Sequence, residues 1–290
     1  MKSSILVSGA TGNTGLPLVK QLSAIGTPIR AMVHSLEKKA VVEGVNVEVV
    51  NGDFEDRTSL ERALEGIEHA YLVSPPSLDQ VKHQVAYVDA AKKMGVKHIV
   101  KLSALGSAPD SPVSLLRWHA EVEEHIRKSG ITYTFLHPHF FMENLLASAD
   151  SVNKDGKIYS PLGDASISIV SVLDIAAVAV KTLTEGTHGG RTYTITGPSA
   201  VTYAEIARTV GEVRGKPVAY VQVPFEATKQ GMVQAGYTLW LAEDLTMLMR
   251  TWAEGRGNMV SRYVEKLTGH KPLSIREFFE KHKSLFLAAA

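Results

Sequence analysis

The stretch Ile5–Leu22, ILVSGATGNTGLPLVKQL, contains a short apolar run, three glycines spaced as G-x-x-G-x-x-G, and the start of a helical pattern. A strand, a glycine turn and a helix in this order predict a dinucleotide-binding turn. Glycines allow backbone to approach a pyrophosphate, and the helix N-terminus supplies free N–H groups. The alternative is a helix-start turn whose glycines serve only close packing. The residues expected to bind the cofactor are Gly9, Thr11, Gly12, Asn13, Thr14 and Gly15.

Five further apolar runs follow, and each alternates with a helical pattern. They read PIRAMVH, VNVEVVNGD, EHAYLVSPP, VKHIVKLSA and ITYTFLHP, and many of their residues are Val or Ile. Such alternation predicts a parallel sheet covered on both faces, and right-handed crossovers make it doubly wound. We therefore predict an α/β fold: a Rossmann-type doubly wound parallel sheet with a smaller, mostly helical C-terminal lobe.

The strand–helix rhythm breaks after about residue 138. We predict an NAD(P)-binding Rossmann domain over residues 1–150 and a smaller substrate-binding lobe over 151–290. The strands and helix near 165–200 are expected to pack back on the first domain. Ligands of open α/β sheets bind at the carboxyl ends of the strands, so the lobe is expected to close over that edge.

Composition narrows the class of protein. The 290 residues include 31 Lys plus Arg and 30 Asp plus Glu, so the net charge is +1 and favours neither nucleic acid nor an anionic membrane as partner. The absence of cysteine excludes disulfides, thiolate nucleophiles and Cys-ligated metals. The first apolar run stops at Gly9, and no run reaches the roughly 18 apolar residues of a membrane span. We expect a cytoplasmic protein without a metal; a homodimer is left open.

The end of the second predicted strand bears on the choice of nucleotide. NAD-binding domains usually carry an acid about 20 residues after the glycines, where it binds the ribose 2′-OH. Here the strand ends in His34 and Ser35, and Lys38 follows. Hydroxyl and cationic groups, with Arg30 upstream, favour a 2′-phosphate and hence NADPH over NADH. Glu37 nearby weakens this reading, and the lysines also suit a solvated helix face.

Further cofactor contacts are expected where the third, fourth and sixth strands end. Asp53 is placed to accept from an adenine amino group while Phe54 packs beside the base; the alternative is a loop Asp that makes a turn. The residues at the other two strand ends are Val73, Ser74, Pro75 and Pro138.

Several of these stretches together resemble a known family. VSGATGNTG, the GD after the third strand, AAKKMGVKHIVKLSA and EVEEHIRKSGITYTFLHPHFFMENL are similar to the NmrA-like atypical short-chain dehydrogenases/reductases. The resemblance covers roughly residues 4–200 and is closest to the NAD(P)H:quinone oxidoreductases and triphenylmethane-dye reductases of that family. It implies a substrate cleft between a Rossmann-type domain and a small lobe.

The helix after the fifth strand lacks the acid that many short-chain dehydrogenases/reductases use. Their Tyr-x-x-x-Lys protonates a developing alkoxide, with the lysine lowering the pKa of the tyrosine. Aligned on the family pattern by its Gly-Ile-x-Tyr-Thr end, this chain has Leu115 and His119 at the two positions. The resemblance implies that Ser103, at the end of the fifth strand, lies near the nicotinamide; a backbone-capping hydroxyl is the alternative.

Leucine donates no proton, so reduction of an ordinary ketone is expected to be slow. A quinone or a cationic dye becomes a delocalised anion or a neutral molecule after hydride transfer, and it needs little acid. His119 is expected to bind ribose or substrate, or to protonate the product; alternatively it is a surface residue or a partner of Glu123. We interpret Glu121, Glu123 and Glu124 as an exposed helix face.

The run HPHFFMENL after the sixth strand predicts the substrate side of the cleft. Phe140, Phe141 and Asn144 are candidate contacts for a flat, aromatic acceptor, and at least one Phe is expected to pack in the core instead. Tyr237, Trp240 and Trp252 are candidates to cover the cleft.

These patterns favour an NADPH-dependent oxidoreductase that reduces a quinone, dye, enone or similar conjugated acceptor. The family resemblance keeps open a non-catalytic NADP(H)-sensing regulator. A carbonyl or imine reductase that uses His119 as its acid is a third hypothesis.

Overall fold

The computed structural model describes residues 4–287. Its strands are β1 (Ile5–Val7), β2 (Ile29–Val33), β3 (Val47–Asn51), β4 (His69–Leu72), β5 (His98–Leu102), β6 (Thr132–Pro138), β7 (Lys157–Ser160), β8 (Ser166–Ile167), β9 (Arg191–Ile195), β10 (Val201–Thr202) and β11 (Ala219–Gln222). Its α-helices are α1 (Gly15–Ala24), α2 (Lys39–Val42), α3 (Arg57–Leu64), α4 (Gln80–Lys93), α5 (Ser114–Ser129), α6 (Ala149–Asp155), α7 (Val172–Thr184), α8 (Tyr203–Arg214), α9 (Phe225–Gln234), α10 (Leu239–Thr251), α11 (Tyr263–Thr268) and α12 (Ile275–Lys281).

Seven strands form one parallel sheet in the order β3-β2-β1-β4-β5-β6-β9. The predicted doubly wound α/β fold is therefore confirmed. The order reverses between β1 and β4, and this reversal creates the crevice in which ligands of such sheets bind. Strand β9 is a seventh strand beyond the six first predicted, and it pairs with β6 from Thr134 opposite Arg191 to Pro138 opposite Ile195.

Helices cover both faces of the sheet because successive side chains of each strand point to opposite sides. One apolar cluster joins Val7, Val100 and Leu102 to α1 and α7. The other joins Leu6 and Ile99 to α3, α4 and α5. Lys101 lies between Val100 and Leu102 in sequence, so its side chain points to the opposite face of the sheet, the face that α5 covers.

The C-terminal lobe has its own apolar cluster, which includes Trp252, Phe278 and Phe279. The lobe also holds two small sheets, β7 with β11 and β8 with β10. Asp244 of α10 joins the lobe to helix α5 of the main sheet. Its carboxylate accepts hydrogen bonds from the backbone N–H groups of Ser114 and Leu115 at 2.6 and 2.7 Å. It thereby caps the N-terminus of α5. Nowhere in 4–287 is a helix both long enough and apolar enough to traverse a bilayer.

Candidate active site

The glycine turn is shaped by contacts that leave no room for side chains. Gly9 has φ +57°, and a Cβ there would lie 2.7 Å from Cγ1 of Val73. A Cβ on Gly15 would collide with the carbonyl oxygen of Gly9, and one on Gly12 would lie 3.2 Å from the same oxygen. The hydroxyl of Ser8 lies within hydrogen-bond distance of the Val73 N–H and carbonyl oxygen, at 2.9 Å each, and so ties the turn to the end of β4.

The N-terminus of α1 is open to an anion. Its N-cap, Thr14, makes no side-chain capping bond, and no acidic residue occupies the first turn. Thr11 is half-buried and Asn13 is exposed beside it, whereas Thr14 is buried. In the first turn the Leu16 N–H donates to the Gly12 carbonyl and Pro17 has no N–H, so the positive dipole end of the helix and the narrow glycine cradle are what fit the pyrophosphate of a dinucleotide. The close packing of the glycines fits both interpretations, so the binding of a pyrophosphate by this turn stays a prediction.

The end of β2 offers polar and cationic groups to solvent. The side chain of His34 is 80% exposed, and its Nδ1 lies 3.7 Å from Oδ2 of Asp53. Ser35 caps the short 3₁₀ turn Leu36–Lys38 by accepting from the Glu37 N–H, and Lys38 is exposed. Arg30 does not belong to this group: its guanidinium bonds Glu48 and the carbonyls of Ala63 and Glu65, which corrects the sequence interpretation.

At the end of β3, Asp53 makes a turn, which was the structural alternative. Its Oδ1 accepts from the Glu55 N–H at 2.9 Å, while Oδ2 stays on the His34 side. Phe54 is half-buried against Tyr87, with ring centroids 5.8 Å apart. Beyond β4, the Ser74 hydroxyl accepts from Gln84 Nε2 at 2.8 Å, and Pro75 is exposed. Adenine contacts by Asp53 and Phe54 stay a prediction.

His119 is bound to a buried lysine. Lys101 is 0% exposed, and its Nζ lies 2.7 Å from Nδ1 of His119 and 3.1 Å from the carbonyl oxygen of Leu102. His119 is therefore not the partner of Glu123, four residues on. While Lys101 is an ammonium it can only donate, so Nδ1 then accepts and a neutral ring carries its proton on Nε2. Within 4–287 that Nε2 has no hydrogen-bond partner.

Glu123 corrects the sequence prediction of an exposed acidic face. It is 3% exposed, whereas Glu121 and Glu124 are exposed as predicted. The carboxylate of Glu123 bonds three side chains. Oε1 contacts Ser103 Oγ and lies 2.7 Å from His137 Nε2, and Oε2 accepts from Arg127 at 3.1 Å. Ser103 thus donates to a buried carboxylate and does not cap backbone. Its expected place beside a nicotinamide stays a prediction.

Burial sets the protonation of this network. Desolvation lowers the pKa of Lys101 to about 7, although the charge of Glu123 opposes the shift. Burial and then the charge of Lys101 hold the pKa of His119 well below its ordinary value, so the ring is neutral near pH 7. Burial raises the pKa of Glu123, but bonds from His137 and Ser103 outweigh it, and the pKa lies below its ordinary value. Glu123 is accordingly an anion.

Some residues of the run HPHFFMENL, at the end of β6 and after it, pack in the core, and others are candidates to line the substrate cleft. Phe140 packs edge-on against Trp252, with centroids 5.2 Å apart, and Phe141 packs on the cluster beneath α1 and α7. Both are half-buried, so each is in part a core residue, as was expected for at least one. Pro138 is buried at the strand end, and the side-chain amide of Asn144 makes no hydrogen bond within the described chain. Substrate contacts by Phe140, Phe141 and Asn144 stay predictions.

A cavity of about 550 Å³ opens between the loop after β4 and the hairpin of α9 and α10. Its walls include Pro76 and Leu78 on one side and Tyr237 and Trp240 on the other. Trp240 also packs against Trp118 of α5, with ring centroids 5.6 Å apart, so the residue next to His119 touches the cavity wall. Trp252 does not line this cavity; it is buried against His139 and Phe140.

Sequence reasoning missed Lys101 and His137. The signal for Lys101 was present, because a charged residue within the apolar strand HIVKL must be buried when both faces of the sheet are covered. No such signal marked His137, whose role depends on which helix lies opposite β6.

Comparison with known proteins agrees with this geometry. The family model described as the NmrA-like family matches residues 1–281. An NAD(P)H azoreductase of Xenophilus azovorans is 36% identical over 285 residues, covering 98% of this chain and 100% of that protein. The NADPH-dependent quinone oxidoreductase of Escherichia coli, solved with NADPH, has a TM-score of 0.87 at 29% identity, with 97% and 99% of the two chains covered. The triphenylmethane reductase of Citrobacter sp., solved with NADP(H), has a TM-score of 0.84 at 30% identity, with 96% and 99% covered.

The chain belongs to the NmrA-like family, as the sequence resemblance predicted. It is an NAD(P)-binding oxidoreductase.

Proposed function

We propose that the protein is an NADPH-dependent reductase of conjugated acceptors, of the azo, quinone or cationic-dye type. One observation carries the proposal: a dinucleotide cradle and an apolar cavity with an aromatic wall open at the same edge of the sheet. Similarity to reductases of azo compounds, quinones and triphenylmethane dyes supports the class of acceptor. NADPH supplies the hydride in such a reaction.

We assign the binding of the cofactor and of the acceptor to different residues of the chain. The glycine turn and the uncapped end of α1 bind the pyrophosphate. His34, Ser35 and Lys38 favour a 2′-phosphate, because no acid stands at the strand end itself. Pro76, Leu78, Tyr237 and Trp240 form a surface suited to a flat acceptor. His119, with a proton on Nε2, aligns in sequence with the lysine of the absent Tyr-x-x-x-Lys and is proposed to bind ribose or acceptor.

The absence of a tyrosine acid limits the acceptors. Leu115 donates no proton, so a ketone that must become an alkoxide gains little from this site. A cationic dye becomes neutral on taking hydride, and a quinone becomes a delocalised anion. These acceptors need mainly orientation and proximity, which a pre-formed cavity supplies.

Steady-state turnover with NADPH tests the proposal. An azo dye, a quinone and a triphenylmethane dye are each mixed with protein and NADPH, and the near-ultraviolet absorbance of NADPH is followed. We expect acceptor-dependent oxidation by the wild type and by Gly186→Ala, whose added Cβ meets nothing within 4 Å. Gly15→Ala is expected to lose it, because its Cβ collides within the cradle. The absence of NADPH oxidation with every acceptor would refute the proposal.

A further inference from the structure

The buried pair of Lys101 and His119 explains how a site without tyrosine can still deliver a proton. A neutral imidazole is a poor acid by itself, because loss of the Nε2 proton leaves an imidazolate. The Lys101 Nζ lies 2.7 Å from the opposite ring nitrogen, Nδ1. If Nδ1 gains a proton as Nε2 loses one, the ring merely changes tautomer and never carries a charge.

We propose that Lys101 is a positioning residue that fixes the Nε2–H tautomer of His119 and passes a proton through its ring to the reduced acceptor. This rests on the proposed function. The Nε2–H bond breaks as the acceptor anion gains its proton, and the Nζ–H bond breaks as Nδ1–H forms. The acceptor anion becomes neutral, Lys101 changes from cation to amine, and His119 is neutral throughout.

Among residues 4–287, His119 is the one hydrogen-bond partner through which Lys101 can pass a proton. Lys101 is 0% exposed, and its other contact, the carbonyl of Leu102, accepts but does not donate. His119 is half-buried, and its Nε2 makes no hydrogen bond within 4–287, so water reprotonates Nε2 and the ring returns its Nδ1 proton to Nζ. A pKa of about 7 for Lys101, lowered by burial, lets the lysine both lose and regain a proton near neutral pH.

The surrounding groups keep the pair in this state. Glu123 holds a negative charge near Lys101, but its carboxylate oxygens bond Ser103, Arg127 and His137 instead of the lysine. Helix α4 packs on α5 and brings a tyrosine into the same layer, and burial raises the pKa of that phenol, so it stays neutral. The charged or ionisable groups of the described chain that act on the pair are Glu123 of α5, near Lys101, and His137 of β6, near His119, and Arg127 bonds the carboxylate of Glu123.

The tautomer is measured without any turnover. In protein with ¹⁵N-labelled histidine, long-range ¹H–¹⁵N spectra distinguish a protonated from an unprotonated ring nitrogen, and His119→Gln assigns the signals. At neutral pH we expect His119 to be neutral with its proton on Nε2, and to stay so in Lys101→Gln, whose amide still donates. In Lys101→Met we expect mixed tautomers and a higher His119 pKa. A proton on Nδ1 in the wild type would overturn the proposal.

Two acceptors then test proton delivery. An azo dye needs a proton after hydride transfer, whereas a cationic triphenylmethane dye does not. For the azo dye we expect the wild-type kcat to fall as pH rises through about 7, and both Lys101→Gln and Lys101→Met to slow it about 10²-fold and abolish that fall. Turnover of the cationic dye should change little. Lys97→Met, at an exposed lysine four residues earlier, is the control and keeps both activities.

The outcomes separate the two proposals. If the wild type reduces nothing, the proposed function fails, while the spectra still decide the lysine–histidine relation. If the Lys101 variants slow both dyes equally, or slow neither, proton delivery through His119 is refuted.

Discussion

At the scale of the residue, Lys101 is the least expected feature of the molecule. A lysine in the middle of a covered strand is costly unless it is paired or neutral. Here burial brings its pKa to about 7, and His119 and the Leu102 carbonyl accept its hydrogen bonds. The residue thus lowers the stability of the fold, and it lies at the site where we propose that a proton is delivered.

The burial of Lys101 should make the free energy of unfolding depend on pH. Because the pKa of Lys101 is lower in the folded chain than its ordinary 10.5, the unfolded chain binds more protons between about pH 7 and 10.5. This lysine therefore favours unfolding below pH 7, and the penalty fades as pH rises. We expect Lys101→Met to gain more stability relative to wild type at pH 6.5 than at pH 9.5, by about 1–3 kcal/mol.

Urea denaturation of both proteins at the two pH values measures the difference, with Lys97→Met as the control. Parallel stability profiles for the wild type and Lys101→Met would show that the pKa of Lys101 is not lowered by folding.

Single residues show where sequence reasoning ends. The glycine turn between β1 and α1 was predicted correctly, because a glycine motif between strand and helix has few structural meanings, while its cofactor contacts stay a prediction. Glu123 was read wrongly as exposed: three glutamates in four residues resemble a solvated face, and only the position of β6 brings His137 to one of them. Long-range pairing of this kind leaves no local pattern.

At the scale of the element, α5 links the two parts of the molecule. Its polar side carries His119 and Glu123, and its N-terminus is capped by a carboxylate from the lobe. A negative group at a helix N-terminus satisfies free N–H donors and complements the helix dipole. Asp244 therefore fixes the cavity hairpin to the helix that presents His119.

Loss of this cap should weaken both stability and acceptor binding. We expect Asp244→Ala to lower the free energy of unfolding by about 1–2 kcal/mol, since two part-buried N–H groups lose their acceptor. The KM for the acceptor should rise several-fold, with kcat changed less, because the hairpin that forms the cavity is loosened. Glu243→Ala, at the exposed neighbour, is the matched control. Equal behaviour of the two variants would contradict the role of the cap.

The elements were the most predictable level of the structure. Alternating apolar runs and helical patterns gave the parallel sheet, because only covered strands contain such runs. The place of β9 beside β6 and the pairing of β7 with β11 were not predicted in detail. Short strands in the lobe lack the periodicity that fixes register.

At the scale of the whole molecule, the cofactor should stabilise the fold in proportion to its affinity. A ligand that binds only the folded chain raises stability by RT ln(1 + [L]/Kd). We expect NADPH to raise the melting temperature more than NADH at equal concentration, because His34, Ser35 and Lys38 suit a 2′-phosphate.

Differential scanning fluorimetry with each nucleotide measures the effect. Lys38→Ala should narrow the gap between the two nucleotides, whereas Lys39→Ala should not, since Lys39 pairs with Glu43 on the surface. An equal or larger shift with NADH would refute the preference.

Burial of Lys101 has a consequence for chemical labelling. At neutral pH a small fraction of every solvent-exposed lysine is a free amine, and acylating reagents react with that fraction. The lack of solvent contact shields Lys101 completely while α5 rests on the sheet. The rate at which Lys101 is acylated would therefore measure how often α5 moves away from the sheet and exposes this side chain.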